Sequence, residues 1–128
     1  MTHSAVFTRE ALDNLFPADR SDQFFDALFG DSTEGSYDIV LEYVNTPQTN
    51  TINFELHLKQ RPGKCLVCNL TYGLPEVFTR HPILNLAGVV TEIGTLLNHP
   101  ADKINWKLGS TQSTSNELHT IPLTITLN

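Results

Sequence analysis

The sequence predicts an α+β fold: an antiparallel sheet of about five strands, in the order α-α-β-β-β-α-β-β, with helices packed on one face. Three observations predict it. Apolar residues recur with a period of two in 52–60 and 118–127, the pattern of strands with one dry and one wet face. They recur with a helical period in 9–29 and 83–97. Glycine, proline and asparagine punctuate the chain wherever the period changes.

The first helix is expected at Arg9 to Phe16. Thr8 caps it, Glu10 and Asp13 lie in its first turns, where the helix dipole favours acids, and Pro17 ends it. A second runs from a Ser21 cap to Phe29 and is closed by Gly30. Leu12, Leu15 and Phe16 share one helical face, and Phe24, Phe25, Leu28 and Phe29 another, so both helices are expected to pack on the sheet. "GDSTEG" is a turn-rich link.

A three-stranded meander is then expected over 36–72. Tyr37, Ile39, Leu41 and Tyr43 alternate in its first strand, and Ile52, Phe54, Leu56 and Leu58 in its second, with the polar loop "NTPQTN" between them. "RPG" turns the chain into a third strand, "KCLVCNLTY". "PEVF" can form one helical turn. Pro82 suits the first position of a helix, because its missing N–H would be unpaired there in any case. The central helix is expected over 82–98. Ile83, Leu86, Val90, Ile93 and Leu97 would face the sheet, which leaves Leu84, Val89 and Leu96 as a candidate partner interface. Gly88 and Gly94 each cost about 1 kcal/mol in a helix interior and suggest a close approach of backbone. Two C-terminal strands follow within 103–127, the first alternating Ile104, Trp106 and Leu108, with "GSTQSTSN" as a polar hairpin loop. In the last strand Pro122 cannot donate to a ladder, so that strand is expected at an edge or with a bulge.

A length of 128 residues fits one domain, 1–128, with an acidic helical segment at 1–30. The charge is uneven. Residues 1–38 hold eight acids and two bases, so the whole net charge of −6 lies there. A nucleic-acid partner is disfavoured, because a phosphate backbone attracts basic faces. No stretch reaches the ~20 apolar residues of a membrane span. The first sixteen residues lack a basic region followed by an apolar core, so the expected location is the cytoplasm.

The two cysteines, Cys65 and Cys68, form a C-x-x-C. On a strand, residues three apart point to opposite faces and stand ~10 Å apart, whereas a disulfide needs less than ~7 Å between Cα atoms. A structural role is therefore expected, and a metal or redox module is the alternative. Zinc needs four ligands. His57 and His119 could join the cysteines if the strand register allowed it. The chain contains no nucleophile elbow and no phosphate-binding glycine motif, so no catalytic residue, metal or cofactor is assigned.

The connection "TYGLPEVFTRHP" is the candidate binding segment, through Tyr72, Phe78, Arg80 and His81. Arg80 and His81 are expected at a helix N-terminus, which suits an anion. The alternative is that Leu74, Val77 and Phe78 plug the core. The element order, size and acidity together resemble the small acidic secretion chaperones of type III systems, although those end in a helix and this chain ends in a strand. That resemblance implies a homodimer that binds extended client segments. The functional expectation is thus a non-catalytic interaction or chaperone-like protein whose partner is another polypeptide, a second copy first of all. A small-ligand site or enzyme with its pocket at the 72–82 loop is the alternative.

Overall fold

A computed structural model describes residues 6–30, 37–63, 74–115 and 117–127. The elements run α1 (Arg9–Leu15), α2 (Arg20–Phe29), β1 (Tyr37–Gln48), β2 (Thr51–Gln60), α3 (Leu74–Arg80), α4 (Leu86–Leu96), a 3-10 turn (Ala101–Lys103), β3 (Ile104–Leu108), β4 (Gln112–Ser115) and β5 (Leu118–Leu127). The five strands form one antiparallel sheet in the order β1-β2-β5-β3, with β4 also paired to β5. The expected α+β architecture is therefore present. The strand expected at 64–72, with Cys65, Cys68 and Tyr72, lies outside the described residues. No helix among them is long and apolar enough to cross a membrane.

The period-two pattern sets the two faces of the sheet. Ile39 and Leu41 of β1, Ile52, Phe54, Leu56 and Leu58 of β2, and Ile121, Leu123 and Ile125 of β5 are all buried on one face. Phe7, Leu12, Leu15, Phe24, Phe25, Phe78, Leu86, Val90 and Ile93 cover them from the helical side. Two aromatic groups fix the layers. Phe7 stands edge-on to Phe54 at 5.0 Å, and Phe24 stands edge-on to Phe78 at 5.6 Å, within the range where offset and edge contacts are favourable.

Several local expectations are corrected by long-range contacts. Thr8 does cap α1, accepting from the Ala11 N–H at 3.2 Å. Ser21 does not cap α2, whose N-cap position is Asp19. Ser21 sits within the helix, fully buried, and turns its hydroxyl to Ile39 of β1. The six-residue loop expected between the first two strands shrinks to two residues, because β1 and β2 stay paired to Gln48 and Thr51 across two register shifts. Pro47 fits there because β1 is an edge strand among the described residues.

The strand with Pro122 is central, not at an edge: β5 lies between β2 and the β3–β4 side. The Pro122 carbonyl accepts from Gly109 N–H at 2.8 Å. On an antiparallel strand a residue's donor and acceptor face the same neighbour. The donor that proline lacks therefore faces the 109–111 stretch, where the neighbouring ladder breaks between β3 and β4. Part of the loop expected at 109–116 is β4 itself, which follows β5 from Gln112↔Thr120 onward.

The central helix starts later than Pro82. Asn85 adopts a left-handed conformation (φ 46°) and accepts from Gly88 N–H at 3.3 Å, so α4 begins at Leu86. Its glycines serve contacts within the chain. A Cβ on Gly88 would collide with the Asn85 cap, and one on Gly94 would lie 2.4 Å from Ile104 Cδ1 and 3.1 Å from the His99 carbonyl. Leu84 and Val89 are enclosed by this chain's own core, so of the three residues expected at an interface Leu96 alone is exposed, at 47%.

Candidate functional site

The described residues place the 74–82 part of the expected binding segment in three different settings. Phe78 is fully buried against Phe24, so it is a core residue. His81 is half-buried. Its ring stands edge-on to Phe24 at 4.8 Å, and its Nδ1 accepts from Ile83 N–H at 3.2 Å, tying the α3–α4 connection. Arg80 is exposed in a shallow depression of about 380 Å³ with Glu76, Val77, His81 and Pro82. It ends α3 and does not open a helix, because α4 begins only at Leu86. The backbone N–H groups that would hold an anion are therefore not at Arg80. Glu76 stands one helical turn away and adds an opposing charge. Tyr72 lies outside the described residues.

The metal constellation is divided in the same way. His57 lies on the outer face of the sheet and meets Glu55 at 2.9 Å, whereas His119 is buried and meets Ser113 at 3.3 Å. In the ladder His57 pairs with Thr120 and His119 with Leu58, so the two imidazoles project from opposite faces. No group of three metal-ligating side chains occurs among the described residues.

A different site forms where α1 meets α4. Ala11, Asn14 and Leu15 on α1 and Glu92, Thr95 and Leu96 on α4 line an open groove of about 350 Å³. Spacings of three and four residues bring each set to one helical face. Leu15 is buried at the base and Leu96 is exposed at the rim. The Thr95 hydroxyl donates to the Thr91 carbonyl at 3.2 Å and is spent within its own helix. The floor is thus apolar, and Asn14 and Glu92 supply a polar margin. A mostly apolar concavity with a few polar groups is the usual character of a recognition site.

The charges nearby are unequally committed. Arg9 pairs with Asp13 at 2.9 Å and with Glu42, and donates to the Leu41 carbonyl at 3.0 Å. Arg20 donates to the Leu84 carbonyl at 3.2 Å and stacks over Phe16 at 5.0 Å. Arg61 holds Asp22 at 2.7 Å and Asp38 at 3.0 Å. Among the described residues, Glu10 and Glu92 form no ion pair. Glu92 lines the groove and Glu10 lies one turn before Asn14 on α1, so these two carboxylates, among several outside ion pairs in the described residues, border it.

Of these residues the sequence singles out Leu96, as an apolar position outside the sheet-facing stripe. Ala11, Asn14, Glu92 and Thr95 carry no local signal, because the groove joins two helices distant in the chain. Comparison with known protein families, characterised proteins and solved structures finds no match.

Proposed function

We propose that this chain is a non-catalytic polypeptide-binding protein of the interaction or chaperone-adaptor kind. One observation carries the reading: the apolar groove between α1 and α4, left open at Leu96 and bordered by Asn14 and Glu92. Side chains that pack into such concave, water-excluding surfaces supply most of the energy of protein recognition. The small-ligand alternative at the 72–82 loop has less support. Phe78 is sealed in the core, and the Nδ1 of His81 is spent on Ile83.

Selection from a displayed random-peptide library tests the reading. The expected result is enrichment of a peptide class whose binding is lost in Leu96→Asp and kept in Val77→Asp, the latter being an exposed apolar position on α3. If no class is enriched, or if Leu96→Asp binds every enriched peptide as well as the parent chain, the reading fails.

A further inference from the structure

We propose that the α1–α4 groove receives a cationic amphipathic helix of a partner protein, with an apolar side chain seated against Ala11, Leu15 and Leu96 and lysines or arginines facing Glu10 and Glu92. The proposal rests on the polypeptide-binding reading above and specifies the chemistry of the occupant.

Shape gives the first half. A groove between two touching helices, apolar at its floor, matches the apolar stripe of a third helix, whose anchors recur at three- and four-residue spacing. Charge gives the second half. Arg9 and Arg20, the two basic residues of the first 38, are both engaged within the chain, while Glu10 and Glu92 are not in ion pairs among the described residues. Residues 1–38, which include α1, hold the whole net charge of −6 and add a negative field. Such a field steers a basic segment toward the groove and repels an acidic one. A second copy of this chain is the poorer occupant. Its own net charge is −6, and a symmetric contact through this groove would set Glu10 and Glu92 of one copy against those of the other.

The test uses the full-length chain and three labelled peptides of about 18 residues, or five helical turns. One carries a leucine stripe on a lysine background, one a leucine stripe on a glutamate background, and one has serine in place of leucine on the lysine background. Binding is read by fluorescence anisotropy at low and physiological salt. The leucine–lysine peptide is expected to bind saturably and to weaken with salt, and the other two to bind at least tenfold less tightly, about one decade per 1.4 kcal/mol. Glu92→Gln is expected to weaken binding about two- to fivefold, the range of a single exposed ion pair, and to reduce the salt dependence. Leu96→Asp should abolish binding and Val77→Asp leave it unchanged, with circular dichroism confirming that each variant is folded.

Equal binding of the leucine–glutamate peptide, or no effect of Glu92→Gln, overturns the cationic occupant but leaves the polypeptide-binding reading intact. So does a dimer in sedimentation that Leu96→Asp dissociates and the leucine–lysine peptide cannot displace. Equal binding of the serine–lysine peptide overturns the apolar seat. Absence of saturable binding by every peptide, in a monomeric chain, overturns this proposal, and the library selection then decides whether the broader reading also fails.

Discussion

Ser21 and Ile39 exchange two hydrogen bonds: the Ile39 N–H donates to Ser21 Oγ at 2.8 Å, and the Ser21 hydroxyl donates to the Ile39 carbonyl at 3.4 Å. Ile39 lies on β1, the edge of the sheet among the described residues, and turns these groups away from β2. An open edge is a template for pairing with another chain. Here one buried hydroxyl satisfies it at Ile39, and Arg9 covers the Leu41 carbonyl two residues on. Ser21→Ala removes both partners of Ile39 at once. The expected loss is about 1–3 kcal/mol of unfolding free energy, because buried backbone groups are left unsatisfied. Urea denaturation measures it, and a loss under a few tenths of a kcal/mol would contradict this account of the edge.

Asn85 combines a left-handed backbone with the cap of α4. Asn85→Ala is expected to cost about 1–3 kcal/mol, from the lost cap and from a Cβ at positive φ without a compensating side chain. Asn85→Gly should cost only a few tenths of a kcal/mol, since glycine tolerates that conformation and is an acceptable cap. Thermal unfolding of the two variants side by side gives the order, and equal losses would show that the backbone conformation is not what selects the residue.

Gly94 is held small by Ile104, whose Cδ1 would lie 2.4 Å from an added Cβ. Gly94→Ala gains about 1 kcal/mol of helix propensity but forces β3 away from α4, a strain of about 1–3 kcal/mol. The net expectation is a destabilised chain. Ile104→Val removes the colliding methyl, so the penalty of Gly94→Ala should shrink in that background. A double-mutant cycle by urea unfolding reads the coupling. Additive effects would mean that the His99 carbonyl, 3.1 Å from the same Cβ, sets the limit.

Burial beside Phe25 pushes the Tyr37 phenol above its ordinary value of 10.0, because the charged form is desolvated. The folded chain therefore keeps its proton at a pH where the unfolded chain has lost it. Protons bound by the folded state alone make stability fall as pH rises above the unfolded value. The contribution is complete below about pH 10 and declines above it. Stability curves of the parent chain and Tyr37→Phe should run parallel at neutral pH, and the parent should fall relative to the variant above about pH 10. Parallel decline at all pH values would mean that other groups govern alkaline unfolding.

Much of the fold is legible because the signal is local. The alternation of Ile52, Phe54, Leu56 and Leu58 needs no knowledge of neighbours to name the buried face of β2, and all four are buried. Thr8 and Gly30 mark helix ends through bonds made within a few residues. The candidate groove is legible only at Leu96, which falls outside the stripe of its own helix. Its other walls come from α1, and nothing in residues 8–16 records that α4 lies beside them.

By itself the sequence determined the period of β1, β2 and β5 and hence their dry face, the acidic front and the α+β class, since these follow from side-chain order along one segment. The tertiary structure alone decided that β5 is central, that Ser21 serves Ile39 and that Leu84 and Val89 belong to the core. It also decided that Arg80 ends one helix and does not begin another. Strand neighbours, edge closure and coverage depend on contacts between distant segments, and those are settled by which surfaces fit together when the whole chain packs.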